Sequence, residues 1–170
     1  AYCIVPTVRG RERSVSPGAI VDEVDRYVAL GYKEVVLTGT QLGSYGFDLT
    51  DTTLTGLLRY VLAKTKVVRL RVSSLQPQEL DQGLLDVWDD PRLCPHFHIP
   101  LQSGCDTVLR RMRRRYTAKT YKYAVGLVRT MIPDASITTD VIVGFPGETS
   151  ENFADTYELC KQMEFASMHV

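Results

Sequence analysis

The chain has 170 residues, the length of one compact domain. Twenty Lys and Arg balance twenty Asp and Glu, which excludes polyanion binding by bulk charge but leaves room for a local basic patch. With 44% hydrophobic and 24% charged residues, no apolar run near the roughly 18 residues of a membrane span and no signal-peptide pattern, the chain reads as a soluble cytoplasmic domain.

In chain order, residues 2–14 read as a loop. Ser16 is a capping residue before Pro17, and Ile20, Val21, Val24, Tyr27 and Val28 recur at helical spacing up to Gly31, so a helix is predicted over 17–30. A short apolar strand over 34–38 runs into a loop with Gly39, Gly43 and Gly46. A helix over 54–64 leads to a strand over 67–73. After Pro77, a helix carries Leu80, Leu84, Leu85 and Trp88. The strand 96–102 alternates its faces, and helices follow near 106–113 and over 118–131. A strand over 137–143 enters Gly144-Phe-Pro-Gly-Glu148, a helix over 151–163 follows, and a strand over 166–170 is the last element. Five strands separated by helices imply right-handed βαβ units and a parallel sheet, with both faces buried. The first residues read as a loop without its strand and the last as a strand without its loop, so the domain is expected to be truncated at both ends.

In such α/β arrays the chemistry sits in the loops after the strand C-termini. Gly144 to Glu148 forms a glycine-permitted turn. It either lets backbone approach a ligand or is a plain βα turn, and it lacks the Lys-Ser/Thr of a P-loop. Asp140 lies in an apolar run, where a carboxylate is costly unless paired or bound to something; ligand binding and turn capping are the alternatives. Gln102, before Ser103-Gly104, could read a polar ligand edge or order its loop. His96 and His98 share a face of their strand, and packed or hydrogen-bonded rings are preferred over a metal pair because no acid or thiolate is close in sequence. From Arg110 to Lys122 the chain concentrates seven basic residues and no acid, interleaved with Tyr116 and Tyr121 and followed by Tyr123. That stretch is either an RNA-gripping stripe or a solvated helix face. Cys94, Cys105 and Cys160 read as structural.

Five phrases occur together in one order and spacing. They are Tyr2-Cys3-Ile-Val-Pro6 with Arg9-Gly-Arg-Glu-Arg-Ser14, Leu37-Thr-Gly-Thr-Gln-Leu-Gly-Ser-Tyr-Gly46, Ile99-Pro-Leu-Gln-Ser-Gly-Cys-Asp106, Arg113-Arg-Arg-Tyr-Thr117 and Thr139-Asp-Val-Ile-Val-Gly-Phe-Pro-Gly-Glu148. Over essentially its whole length the chain resembles the methylthiotransferases of the radical S-adenosylmethionine (SAM) superfamily. The resemblance implies an α/β fold, a partial parallel (β/α) barrel spanning residues 1–170 without its first strand.

That family binds a four-iron four-sulfur cluster through C-x3-C-x2-C with an aromatic before the last Cys. Tyr2-Cys3 matches this ending, which makes Cys3 the one cluster thiolate offered here; three are needed, with the fourth iron open to SAM. By the same resemblance Gln102, Arg114 and Asp140 contact SAM, Asp140 at the ribose hydroxyls. Ile142 and Gly144 lie on the strand packing against adenine, and the backbone of Thr38-Gly39 faces the methionine amino group. The family mechanism implies reductive cleavage of SAM to a deoxyadenosyl radical, sulfur from a second iron–sulfur cluster in an N-terminal domain, and a C-terminal RNA-binding domain. It also implies an electron donor such as a flavodoxin-type reductant. The Leu37–Gly46 phrase is most similar to the branch that modifies threonylcarbamoyladenosine beside the tRNA anticodon. Another modified adenosine, a ribosomal protein, or RNA binding without catalysis are the alternatives. The fragment is expected to be inactive alone.

Overall fold

The computed structural model describes residues 4–170. Five strands, β1 (Glu34–Leu37), β2 (Arg69–Val72), β3 (His96–His98), β4 (Ser136–Asp140) and β5 (Ser167–His169), are all parallel where they pair. Regular pairing gives β1-β2 and β3-β4-β5. The two sets are joined at Leu70, whose N–H donates to the Arg92 carbonyl and whose carbonyl accepts from Cys94 N–H, and again where Leu75 N–H donates to the His98 carbonyl. The strands therefore follow one another around an arc in chain order, as successive right-handed crossovers require.

The helices lie on the convex side. Helix α2 (Pro17–Ala29) begins where Ser16 Oγ accepts from Ala19 N–H, and α3 (Leu54–Lys64) where Thr53 accepts from Gly56 N–H. Helices α6 (Ala118–Met131) and α7 (Ser150–Met163) are capped in the same way by Thr117 and Thr149. Their apolar stripes meet the strand residues Leu70, Val72, Phe97 and Ile137 in one core, with Leu58, Val61 and Val128 fully buried. Trp88 packs its ring 4.7 Å from that of Phe97 and donates its indole N–H to the Cys94 carbonyl.

Several expectations change. The entry segment contains a helix, α1 (Val5–Arg9). The helix predicted after Pro77 is three pieces: a 3-10 turn at Pro77–Glu79, the four-residue α4 (Gln82–Leu85) and a second 3-10 turn at Asp86–Asp89. Leu80 is extended there, and Asp81 starts a new turn by accepting from Leu84 N–H. The apolar residues still face the core, so the helical spacing was a true burial signal on a broken backbone.

Strand β3 stops at His98 because Pro100 has no N–H to give the ladder. Thr139 restores the path: its buried hydroxyl donates to the Ile99 carbonyl and accepts from Leu101 N–H. Helix α5 (Asp106–Arg111) ends shortly before Arg113, which takes a positive φ.

The largest correction concerns the faces of the sheet. Only the convex face is buried. On the concave face stand Glu34, Arg69, Arg71, His96, His98, Thr138 and Asp140, none of them buried. The alternation Arg-Leu-Arg-Val in β2 and Ser-Ile-Thr-Thr-Asp in β4 is the sequence trace of this polar lumen.

Candidate functional site

The C-terminal ends of the strands form a mouth whose loops are fastened to one another. Gln102 donates its N–H to the Asp140 carbonyl and accepts from Ile142 N–H, and Val141 N–H reaches the His169 carbonyl. Gln102 is buried and takes φ +64°, a conformation an L-residue adopts at a cost when the surroundings require it. Two buried tyrosines hold this rim from below. Tyr116 donates to the Pro100 and Leu101 carbonyls at 2.9 and 3.1 Å, and Tyr121 to Ile99 at 2.8 Å. The Ser103 hydroxyl and the Gly104 N–H both engage the Thr156 hydroxyl of α7. On the other side of the arc, Glu79 accepts from Gln76 N–H and pins the loop after β2 close under Gly43, in the loop after β1. Burial pushes the Glu79 carboxyl up, against the lowering pull of the Gln76 and Gly43 amides. Glu79 was not singled out in the sequence: its bond to Gln76 N–H is a local capping-box contact, and what gives it weight, Gly43, lies on a loop far from it along the chain.

Asp140 ends β4 with its side chain 40% exposed, and its Oδ2 lies 3.0 Å from His98 Nε2. His98 Nδ1 lies 3.0 Å from Thr138 Oγ1, which in turn lies 3.4 Å from His96 Nε2. The preference for hydrogen-bonded histidines holds, and the acid missing from the local sequence is supplied by the neighbouring strand. Burial, with Arg71 and His98 nearby, lowers the His96 pKa and favours its neutral form. Deeper in the lumen Glu34 binds Arg71 at 2.9 Å and Arg69 at 3.0 Å, and these guanidiniums hold its carboxyl at about 2.

Gly144 turns the chain at φ +69° with open space where a side chain would stand. Its N–H donates to Glu148 Oε2, while Glu148 Oε1 is buried without a hydrogen-bond partner among the described residues. Ile142 packs with Phe145 on Cys105, Val108 and Met112. Arg111 donates to the Gly147 carbonyl, and Arg114 is half-buried in the turn after α5. The structure thus gathers Gln102, Asp140, Ile142 and Gly144 at one end of the arc. Thr38 and Gly39 are exposed at the end of β1, three strands from β4 and about 14 Å around the arc at ordinary strand spacing. They line a cavity of about 370 Å³ with Ile20, Tyr27, Val36 and Tyr45. Tyr2 and Cys3 lie outside the described residues.

A polar ligand fits the Asp140–Gly144 end: it has a half-exposed carboxylate, a turn open at Gly144 and an orphaned Glu148 oxygen. An iron–sulfur cluster does not find its ligands there. Among the described residues no group of three His, Cys, Asp or Glu could hold a metal ion, and burial raises the thiols of Cys94 and Cys160. In the basic stretch Tyr116 and Tyr121 are buried, which removes two of the three aromatics from any stacking role. Tyr123 is 68% exposed, and Arg110, Arg111, Arg113, Arg115, Lys119 and Lys122 remain on the surface.

The family model for the radical SAM superfamily matches residues 1–160. The chain belongs to the radical SAM superfamily. Solved radical SAM structures share the architecture: the cobalamin-dependent enzyme OxsB (TM-score 0.67, 11% identity, 85% of this chain and 22% of that one) and coproporphyrinogen III oxidase (HemN) from Escherichia coli (TM-score 0.62, 14% identity, 90% and 37%). Among curated proteins, the chain is 39% identical to the threonylcarbamoyladenosine tRNA methylthiotransferase MtaB of Bacillus subtilis, over 99% of this chain and 38% of that one. It is 44% identical to the tRNA-2-methylthio-N(6)-dimethylallyladenosine synthase of Caldicellulosiruptor saccharolyticus, over 99% and 36%. The chain therefore spans under two-fifths of the length of these relatives. Both names appear at similar identity, so the comparison supports the radical SAM methylthiotransferase likeness and does not separate its branches. Among the described residues no helix is long and apolar enough to cross a membrane.

Proposed function

We propose that this chain is the radical SAM core of a tRNA methylthiotransferase. The observation that carries the reading is 39–44% identity along nearly the whole chain to tRNA methylthiotransferases of two names, on a domain the superfamily model matches. The polar mouth adds support, because it offers the groups SAM would need. Asp140 accepts hydrogen bonds from ribose hydroxyls, charge-assisted and hence stronger than neutral ones. Gln102 lies beside it on the rim, Arg114 in the turn after α5 is a further SAM contact in this reading, Gly144 and Ile142 border the adenine, and Thr38-Gly39 present backbone to the methionine end. A reduced four-iron four-sulfur cluster, when bound, would supply the one electron that cleaves SAM. Cys3 provides one cluster thiolate, preceded by Tyr2, and the longer protein provides the other two, the second cluster and the RNA-binding domain. The exposed arginines from Arg110 to Arg115 face the phosphates of the tRNA anticodon loop, and a flavodoxin-type protein is the electron donor.

The substrate is threonylcarbamoyladenosine, a reading that rests on the Leu37–Gly46 phrase. The test is to reconstitute the full-length protein anaerobically, reduce it, and supply it with tRNAs carrying either threonylcarbamoyladenosine or dimethylallyladenosine, followed by mass spectrometry of the nucleosides. Methylthiolation of the first alone supports the branch; methylthiolation of the second moves the protein to the other branch; unmodified tRNA in both overturns the activity.

A further inference from the structure

The three polar residues that precede Asp140 on the concave face form a chain of hydrogen bonds whose direction follows from chemistry. An ionised carboxylate only accepts, so at 3.0 Å from Asp140 Oδ2 it is His98 Nε2 that carries the proton. In the neutral form of the ring Nδ1 is then bare and accepts, and the donor 3.0 Å away is the Thr138 hydroxyl. With its hydrogen committed, Thr138 Oγ1 can only accept from its next neighbour, His96 Nε2 at 3.4 Å. The chain runs His96 to Thr138 to His98 to Asp140, with each donor meeting an acceptor. Parallel register places the two histidines on β3 and Thr138 and Asp140 on β4, all on one face. Among the described residues, the remaining charged or titratable groups on this face are Glu34, Arg69 and Arg71 deeper in the arc and exposed His169, which stands opposite Asp140 on β5.

A short aspartate at a strand end that is 40% exposed has several accessible rotamers, and a hydrogen bond from a ring that is itself fixed selects one of them. The fixed ring is the side chain of His98, 19% exposed and tethered at both nitrogens. We propose that His98 is a positioning residue for SAM: its ring, tethered at Nδ1 by Thr138, fixes the Asp140 carboxylate toward the mouth through its Nε2–H before SAM arrives. Holding a carboxylate by an imidazole N–H preorganises it without adding a second negative charge, so less ordering is left to be done on binding. The inference rests on the reading of Asp140 as a SAM-binding carboxylate, and it assigns His98 and Thr138 an effect exerted only through that side chain.

The experiment measures equilibrium binding of SAM to the full-length, cluster-loaded protein under anaerobic conditions, without turnover. Asp140→Asn weakens binding about tenfold or more, as loss of a charge-assisted pair does. His98→Leu weakens it about three- to tenfold, whereas His98→Gln, whose amide N–H reaches the place of Nε2–H, stays within about twofold. Thr138→Val, equal in shape, weakens it about threefold by untethering the ring at Nδ1. The double variant His98→Leu/Asp140→Asn binds no more weakly than Asp140→Asn alone, because His98 then has nothing left to position. A second readout is the imidazole 15N spectrum of the cluster-free full-length protein. There His98 shows a hydrogen-bonded, unprotonated Nδ1 and a protonated Nε2; Thr138→Val moves the Nδ1 signal to that of an unbonded ring nitrogen and leaves Nε2 protonated by its bond to Asp140. Full additivity in the double variant, or His98→Leu binding SAM like wild type while Asp140→Asn does not, overturns the positioning role and leaves Asp140 in place. Unchanged affinity in Asp140→Asn overturns the assignment of Asp140 itself and the inference with it.

Discussion

The two faces of one five-stranded sheet obey different rules. On the convex face Leu70, Val72, Phe97 and Ile137 are nearly free of solvent contact and gain their energy from area and close packing. On the concave face Glu34, Arg71, His96, His98 and Asp140 are partly wet, and each is held by one or two directed contacts. Because successive strand residues alternate between these faces, a substitution one position along the chain moves from the stability of the fold to the chemistry of the lumen. The concave face has therefore been left polar at some expense of burial, which is what a ligand-holding barrel interior demands.

This contrast can be broken or sharpened by substitution, beginning with the largest effect. Phe97→Ala removes a buried ring that packs on Trp88 and should lower the unfolding free energy by about 3–5 kcal/mol in urea titration, while the protein that remains folded keeps its SAM affinity. An equal loss of SAM binding in the folded fraction would show that the faces are not separable. Gly104→Ala puts a Cβ 2.7 Å from the Thr156 Cα and 3.0 Å from the Asp155 carbonyl, both backbone atoms of α7. Either α7 or the rim must shift, at about 1–3 kcal/mol, and thermal unfolding reads it. Here the effect should spread to SAM binding, since the loop after Gln102 moves too.

Tyr116→Phe removes the hydroxyl that serves the Pro100 and Leu101 carbonyls and should cost about 1 kcal/mol in the same titration. The smallest effect belongs to the lumen. Glu34 has its folded pKa depressed from 4.5 to about 2 by Arg71 and then Arg69, so its contribution is complete above the unfolded pKa and is lost as pH falls from about 4.5 toward 2. Because the pair is a third exposed, the loss should be only about 0.5–1 kcal/mol. In Glu34→Gln the stability curve should flatten by that amount over that window; a curve as steep as wild type would assign the acid sensitivity to other carboxylates.

Several residues of the candidate site are legible in the sequence. Asp140 drew notice as a charge in an apolar run, Gln102 as an amide at a strand end, and Gly144 as a turn residue, and the structure brings these three to one rim. The basic stretch was misleading in part. Tyr116 and Tyr121 read as aromatics interleaved with arginines, yet both rings are core and both hydroxyls are spent on strand carbonyls. A tyrosine has an apolar body and a polar tip, so its spacing in sequence does not say which end meets water. Glu79 escaped notice for a related reason, since its value lies in backbone N–H groups that any residue could carry.

By itself the sequence determined the order of the elements, the capped helix start at Ser16, helix starts near 54, 118 and 151, and the parallel α/β class, because caps and hydrophobic period act over a few residues. Strand ends, the broken helix after Pro77 and the polar identity of the concave face were decided by tertiary structure. The strand ends and the polar face depend on partners 38 and 42 residues away, such as Thr139 repairing the ladder past Pro100 or Asp140 meeting His98. Local spacing can announce that a residue will be paired. Which residue pairs with it is settled only when the sheet curls and sets β3 beside β4.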